Sequence, residues 1–268
     1  MDLCITSQGN AQYKYLRGLL ASKKERDNAG VVVCEGLRLC IDALQAGLAL
    51  QTLFVTPQAL VRYPQTQQLR YRAQQECLLA DDLMRKAGDT HTPQGVVAVF
   101  KRLDNARSTD TMITNGTHFL LLHQLQDPGN VGAVIRTAAA LGISGVWVSA
   151  DSADPYSPKA LRASMGGVFR VPVCTACSLP DAIAGLQQNN VPVYAAALAP
   201  GACPPKAGMF AGRAAMVIGN EGNGLPQEIV AACDAAVAIP MHNGTESLGA
   251  AMAAGILMWE MRRESRGE

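Results

Sequence analysis

Apolar and polar residues alternate in blocks along the whole chain, and the blocks switch between the period of a helix and that of a strand. Between residues 8 and 26, apolar side chains recur at helical spacing, and the apolar run VVVCEG that follows predicts a buried strand. The alternation continues to a last predicted helix at residues 247–264. It predicts an α/β fold with parallel sheets and helices on both faces.

A polar segment near the middle of the chain separates two sets of predicted elements. The first set contains the strand candidates VVVCEG, LQTLFVT, ECLLA and GVVAVF. The second contains HFLLLHQL, GVWVS, RVPV, VPVYAAAL, AAMVIG and AAVAIP, with helices predicted at 130–141, 178–189, 225–233 and 247–264. A chain of 268 residues allows two domains. We predict a smaller N-terminal α/β domain at 1–104, a linker at 105–117 and a C-terminal domain at 118–268.

Composition narrows the class of protein. The net charge of +1 excludes a strongly basic, histone-like binder but leaves room for a local RNA-binding face. No apolar run approaches the roughly 20 residues that span a bilayer, and MDLCITSQGN lacks the features of a secretion signal, so we predict a cytoplasmic protein without membrane contact. Its eight cysteines are then expected to be reduced. Cys174 and Cys177 have no second pair of ligand spacing, and we predict no metal site.

Basic residues concentrate near the N-terminus. We call them the N-terminal basic cluster: Lys14, Arg17, Lys23, Lys24, Arg26 and, soon after, Arg38. On charge alone, a solvated helix face and an RNA-binding face explain this cluster equally well.

Candidate chemistry lies in three loops, each directly after a predicted strand. They are DPGNVG, GNEGNGLPQE and PMHNGTES. Open α/β sheets bind ligands beyond the carboxyl ends of their strands, so these loops are where a site is expected. The glycines of the second loop let a backbone approach a ligand closely. Their order, G-x-x-G-x-G after a late strand, disfavours a dinucleotide site, and the chain contains neither a P-loop nor a G-x-S-x-G nucleophile elbow.

The helix after the first loop carries one long polar side chain, Arg136. We predict Asn130 as the N-cap of this helix. A core-facing stripe is predicted at Val131, Val134, Ile135 and Ala138. At about 100° per residue, Arg136 points away from that stripe, so it is free to meet solvent, a partner subunit or an anionic ligand.

The last predicted helix follows the third loop. Ser247 is its predicted N-cap. Its packed face, against the core or a second subunit, is predicted at Leu248, Met252, Gly255, Ile256 and Trp259.

Taken together, DPGNVGAVIR, VIGNEGNGL and AIPMHNGTESLGAAMAAGI resemble the three ordered motifs of the SpoU, or TrmH-like, RNA ribose methyltransferases. The N-terminal segments SQGNAQYKYLRGLLASKKER, VVVCEGLRLCIDAL and THTPQGVVAVF resemble the substrate-binding domain of the same family. The likeness covers nearly the whole chain. It implies a C-terminal domain of the SPOUT class, with a parallel sheet and a deep trefoil knot, and an N-terminal RNA-binding domain to which the basic cluster belongs.

The resemblance also implies a cofactor and an assembly. Such proteins are homodimers that bind S-adenosylmethionine in the knot. Mapped onto this sequence, the implied cofactor-binding residues are Leu198, Ala199, Gly219, Asn220, Glu221, Gly222, Ile239, Met241, Ser247 and Leu248. The implied catalytic residues are Arg136, Asn130, Glu221 and Ser247.

The implied reaction is methylation of a ribose 2′-hydroxyl in RNA. Arg136 would orient the nucleotide and stabilise the developing alkoxide, because a guanidinium with a pKa above about 12 is a poor base. One position departs from the family, whose third motif commonly reads Ser-Leu-Asn where this chain has Gly249. A separate N-terminal domain favours large-subunit ribosomal RNA as the substrate. The alternatives are a tRNA ribose methyltransferase and a non-catalytic RNA-binding protein of the same fold.

Overall fold

The protein divides into two compact units, each built around its own sheet. The computed structural model describes residues 4–88, 90–102, 109–242 and 247–265, with Thr109, Asp110, Glu264 and Ser265 described by their backbone alone. The units are Met1–Leu103 with Tyr156–Arg162, and Asp104–Pro155 with Ala163–Glu268. Among the described residues, no helix combines the length and the apolar character needed to cross a bilayer.

The first unit contains a mixed sheet. Its strands are β1 (Val31–Glu35), β2 (Leu50–Val55), β3 (Gln75–Leu78) and β4 (Val96–Lys101), and their order is β1-β4-β2-β3. Strand β4 pairs antiparallel with both β1 and β2, and only β2 and β3 are parallel. The prediction of a parallel sheet is therefore wrong for this unit. Helix–strand alternation predicts the elements but cannot reveal that the last strand returns between the first two.

Short helices cover this sheet. They are α1 (Ala11–Ala21), α2 (Lys23–Ala29), α3 (Leu37–Gln45), α4 (Pro57–Arg62), α5 (Thr66–Arg72) and α6 (Asp81–Arg85). The helical segment predicted between residues 8 and 26 is interrupted at Ser22. Its backbone is extended, and its hydroxyl accepts a hydrogen bond from the Glu25 N–H and so caps α2.

The second unit contains the predicted parallel sheet. Its strands are β5 (His118–Leu122), β6 (Gly145–Ser149), β7 (Val173–Cys177), β8 (Val193–Ala196), β9 (Ala214–Ile218) and β10 (Ala235–Val237). The order in this six-stranded sheet is β10-β8-β9-β5-β6-β7, and every pair is parallel. The central strands are buried throughout, as expected for a parallel sheet covered on both faces. The implied trefoil knot stays a prediction.

Helices connect these strands. They are α7 (Thr109–Asn115), α8 (Pro128–Leu141), α9 (Pro158–Ser164), α10 (Leu179–Gln188), α11 (Gln227–Ala232) and α12 (Ala250–Ser265), with a 3-10 turn at Gly167–Phe169. Of these, α9 belongs mostly to the first unit. Helix α7 lies within the predicted linker. Met112 and Ile113 on α7 are buried in the core with Phe119 and Trp147, so a fragment meant to retain this core must begin before Thr109. The domain boundaries themselves stay a prediction.

Helix α12 begins later than predicted. The Gly249 carbonyl accepts hydrogen bonds from the N–H groups of Met252 and Ala253, which places Gly249, and not Ser247, at the N-cap. The predicted Ser247 cap is therefore wrong. The packed face also differs, because the buried ones among the described side chains of α12 are Ala250, Ala254, Leu257, Met258 and Met261. Two members of the predicted face remain exposed in the chain, Met252 at 62% and Trp259 at 51%.

We expect Gly249→Asn to stabilise the protein slightly. A Cβ at Gly249 meets no atom within 4 Å, and asparagine is a better N-cap than glycine by a few tenths of a kcal/mol. The expected rise in Tm is about 1 °C for a unit of this size. Gly249→Ala is the control, since alanine is a poor cap. Thermal unfolding that ranks the asparagine variant below the alanine variant would contradict this N-cap assignment.

Candidate functional site

A large pocket lies beyond the carboxyl ends of β8, β9 and β10. Its volume is about 780 Å³, and every residue that the resemblance assigns to the cofactor lines it. These residues are Leu198 and Ala199 after β8, Gly219, Asn220, Glu221 and Gly222 after β9, Ile239 and Met241 after β10, and Ser247 and Leu248 before α12. The volume falls within the roughly 300–1,000 Å³ of small-molecule sites.

The glycine-rich loop after β9 closes tightly on itself. The N–H groups of Asn220 and Gly224 each donate to the carbonyl of the other, at 2.9 and 3.0 Å. A Cβ at Gly219 would lie 2.4 Å from the carbonyl carbon of Gly224, so a side chain at 219 is incompatible with this closure. Gly224 has a φ of +65°, in the left-handed region that glycine tolerates. The closed turn therefore requires glycine at positions 219 and 224.

Glu221 joins this loop to the first motif. Its carboxylate accepts hydrogen bonds from the Gln126 N–H at 3.1 Å, from the Asp127 N–H at 3.3 Å and from Asn130 Nδ2 at 3.0 Å. Partial burial alone would raise the pKa of Glu221, but these hydrogen bonds lower it below the usual value of a glutamate. Glu221 is therefore an ionised anchor between two loops, which sequence reasoning named among the site residues without its partners.

Asn130 has a different place from the predicted one. Helix α8 begins at Pro128, and Asp127 is its N-cap, with Oδ1 accepting from the Gly129 N–H at 3.0 Å. The predicted Asn130 cap is wrong because proline at the first helical position and aspartate before it place the N-cap three residues earlier. Asn130 is thus free to reach Glu221.

A second set of hydrogen bonds holds the same loop from the other side. The Gln124 carbonyl accepts from Asn220 Nδ2 at 2.7 Å, while the Gln124 side chain donates to Asp151 Oδ2 at 2.6 Å. Ser149 Oγ accepts from the Gln124 N–H and donates to Asp151 Oδ1, and this bond from Ser149 is the main cause that lowers the pKa of Asp151. Sequence reasoning missed Gln124, Ser149 and Asp151. The available signal was their position after β5 and β6, at the carboxyl edge of the sheet.

Arg136 is exposed on α8, and the predicted stripe of Val131, Val134, Ile135 and Ala138 is fully buried, as expected. Arg136 does not line the pocket of its own chain. It lies about 9 Å along the helix axis from Asn130, at 1.5 Å per residue. The structure therefore brings Asn130, Glu221 and Ser247 to one region and leaves Arg136 outside it.

Gly167 fixes the backbone beneath Arg136. A Cβ at Gly167 would lie 2.9 Å from the Cα of Arg136 and 3.2 Å from the carbonyl oxygen of Ile135. The 3-10 turn therefore packs directly on the α8 backbone.

We expect Gly167→Ala to shift α8 at Arg136 and to destabilise the protein by about 1–3 kcal/mol, the usual cost of overpacking. The shift should displace the Arg136 side chain together with the backbone that carries it. Gly185→Ala is the matched control, since its Cβ would make an ordinary contact 3.8 Å from Ile113. Unfolding curves of the two variants check this expectation. A Gly167→Ala protein as stable as the control would contradict the close approach.

The N-terminal basic cluster divides into two kinds of residue. Lys14, Arg17, Lys23 and Lys24 are exposed, and the Arg38 side chain is 78% exposed beside Asp42. Arg26 is 4% exposed, and its Nη1 donates to the Leu19 carbonyl at 2.9 Å. Arg26 is therefore wrong as an RNA-binding residue, because the interruption at Ser22 turns it into the core.

Cys174 and Cys177 lie on edge strand β7, where they pack against the core of the second unit. The left-handed φ of Ala176, +56°, accompanies a shift of register against β6. The neighbouring Cys177 thiol lowers the pKa of Cys174 below the usual value of a cysteine. Within the part of the chain that the structure describes, no three His, Cys, Asp or Glu side chains are grouped to hold a metal ion.

Comparisons with known proteins agree with this geometry. Residues 117–259 match the family model described as the SpoU rRNA Methylase family, and residues 10–98 match the MRM3-like substrate binding domain. The chain is 33% identical to an uncharacterized tRNA/rRNA methyltransferase of Synechocystis sp., covering 97% of this chain and 93% of that protein. It is 30% identical to the 23S rRNA (guanosine(2553)-2'-O)-methyltransferase RlmP of Bacillus subtilis, and the match covers 91% of this chain and 93% of that protein. The AdoMet-bound rRNA methyltransferase from Sinorhizobium meliloti superposes with a TM-score of 0.85 at 31% identity over 97% of both chains.

Proposed function

Because this chain belongs to the SpoU rRNA methylase family, we propose that it transfers the methyl group of S-adenosylmethionine to a ribose 2′-hydroxyl of large-subunit ribosomal RNA. One observation carries the proposal. The second and third motif loops line one pocket, and Glu221 ties the first motif loop to it through three hydrogen bonds.

The residues around the pocket fit a nucleoside cofactor. The closed turn at Gly219 leaves no room for a side chain, so the backbone itself can approach the ligand. Leu198, Ile239 and Leu248 give the pocket apolar walls suited to a base. When bound, S-adenosylmethionine supplies an electrophilic methyl group.

The chain's own residues would orient the acceptor. Glu221 and Asn130 hold the loops in place, as their hydrogen bond indicates. Arg136 would bind the nucleotide with its forked donors and stabilise the negative charge that develops on the 2′-oxygen. A guanidinium does not serve as the base, because its pKa is above about 12.

The assembly is proposed to be a homodimer in which Arg136 serves the pocket of a partner subunit. Met252 and Trp259 are seven residues apart on α12, and therefore on one face, and both are exposed. Aromatic and methionine side chains are enriched at protein interfaces, which favours a contact at this face. Helix α12 packs on α8, which carries Arg136. Since Arg136 does not line its own chain's pocket, a second copy is the simplest source of an arginine there.

Mixing two inactive proteins tests this arrangement. The Arg136→Ala protein has an intact pocket but lacks the arginine. The Gly219→Ala protein has the arginine but a distorted pocket. If Arg136 acts across the interface, random exchange in a symmetric dimer restores about a quarter of wild-type activity. If it acts within its own chain, the mixture stays inactive. A protein that sediments as a monomer would exclude the homodimer.

Methyl transfer itself is tested with the purified full chain, labelled S-adenosylmethionine and unmodified 23S ribosomal RNA. We expect label in 2′-O-methylnucleosides after complete digestion of the RNA. Label in bases only, or in tRNA but not in ribosomal RNA, would contradict the proposed substrate. The cytoplasm stays the predicted location.

A further inference from the structure

A second pocket lies in the first unit, beside a segment whose charge is entirely positive. Residues 57–72, which contain α4 and α5, include three arginines and no acidic residue. They also expose Val61 at 86% and Tyr71 at 81%. Arginines interleaved with exposed aromatic and apolar side chains are typical of surfaces that bind single-stranded nucleic acid.

The pocket has the size and lining of a nucleotide site. Its volume is about 270 Å³, near the lower end of the roughly 300–1,000 Å³ of small-molecule sites, which suits one nucleotide. Its polar side chains include Gln58, Arg62, Asp81, Arg85, His91 and Gln94. Two arginines against one aspartate leave a net positive charge, which favours a phosphate.

The cations of this pocket are available to a ligand. In the described part of the chain, neither Arg62 nor Arg85 forms an ion pair, and both are exposed. The Arg62 guanidinium lies over the Tyr63 ring, 5.4 Å from its centroid. This stack offers a planar surface to a base and leaves forked donors for a phosphate.

The pocket is joined to the exposed end of α3. Gln94 Oε1 accepts a hydrogen bond from the Leu37 N–H at 2.9 Å. The next residue is Arg38, the exposed arginine of the N-terminal basic cluster. A strand of RNA that contacts Arg38 could therefore continue into the pocket without crossing an acidic surface of α4 or α5.

We propose that this pocket holds one unpaired nucleotide of the RNA substrate, with its base against the Arg62–Tyr63 stack and its phosphate at Arg62 and Arg85. Asp81 would accept a hydrogen bond from an amino group of the base, which favours adenine, guanine or cytosine over uracil. The inference rests on the proposed function, because it assigns part of the same RNA substrate to the first unit.

The test measures RNA affinity with unmodified 23S ribosomal RNA, made by transcription, as the probe. We expect Arg85→Gln to weaken binding about 5- to 10-fold and to reduce the slope of log affinity against log salt by about 0.7–0.9, as for one lost phosphate contact. Tyr63→Leu should weaken binding about 10-fold through lost stacking. S-adenosylmethionine affinity should be unchanged in both variants.

Lys101→Gln is the matched control, since Lys101 is an exposed cation at the opposite end of β4 from the pocket. It should stay within about twofold of wild type. The inference would be overturned if both variants had wild-type melting temperatures and the same RNA affinity as the control. If Tyr63→Leu does not fold, the result for Arg85→Gln decides alone. In that outcome wild type still methylates the RNA and the proposed function stands. A wild-type protein that neither binds nor methylates the RNA would refute both.

Discussion

Arg136→Ala is expected to lower methyl transfer by about 100- to 1,000-fold, the usual cost of removing a donor that stabilises a developing oxyanion. Affinity for S-adenosylmethionine should stay within about twofold, because the proposed role of Arg136 is to bind the acceptor nucleotide and not the cofactor. The fold should also be unaffected, since the side chain is exposed and the buried stripe of α8 remains. Single-turnover kinetics and calorimetry with the cofactor measure the two effects separately.

Arg136→Lys should fail nearly as badly, because a point charge does not replace a planar fork at a phosphate or ribose. Lys206→Ala is the control, since it removes an exposed cation from the same unit. Wild-type turnover in either Arg136 variant would refute the role assigned to this residue.

Glu221→Gln is expected to weaken S-adenosylmethionine binding by about 5- to 10-fold. The Gln126 N–H donates to one carboxylate oxygen, and the Asp127 N–H and Asn130 Nδ2 donate to the other. The amide keeps one acceptor oxygen, so its NH₂ group faces the donors of one side only. These hydrogen bonds are exposed, so water satisfies the freed donors and the cost is about 1 kcal/mol, where each 1.4 kcal/mol is tenfold in affinity. Methyl transfer should fall further, because both motif loops lose their common anchor. Glu228→Gln, an exposed carboxylate on α11, should behave as wild type.

Acid provides an independent check on Glu221. Its pKa is lower in the folded chain than in an unfolded one, so it contributes stability above the ordinary glutamate pKa of about 4.3 and loses it as the pH falls through the folded value. The difference in Tm between wild type and Glu221→Gln should therefore be largest near pH 7 and shrink below about pH 4. A difference that grows on acidification would contradict the ionised anchor.

The sequence was most informative where one pattern determines one structure. The apolar runs that became β5, β6 and β9 are long and continuous, as buried parallel strands require, and they were predicted at nearly their observed positions. The stripe on α8 was predicted in full, because only a helix brings residues three and four apart onto one face. The common position of the three motif loops was also predictable, because the carboxyl ends of parallel strands lie at one edge of the sheet.

Predictions failed where a choice depended on contacts distant in sequence. Asn130 was predicted as an N-cap although Asp127 before Pro128 is the cap, and the partner that Asn130 has instead, Glu221, lies about 90 residues away. The sequence predicts Arg26 as an exposed cation of a basic helix, but the extended backbone at Ser22 turns the following helix so that Arg26 is buried. The sequence does not encode such partners locally, so their assignment required the fold.

Mapping of ribose methylation across the ribosomal RNA of cells with and without the gene tests the central claim most directly. RNA from cells lacking the gene should have lost 2′-O-methylation at a defined position of the large-subunit RNA, and the purified protein with S-adenosylmethionine should restore it there. Identical methylation in both RNAs, with no position methylated by the purified protein in any RNA, would contradict the account and favour a non-catalytic RNA-binding protein of this fold.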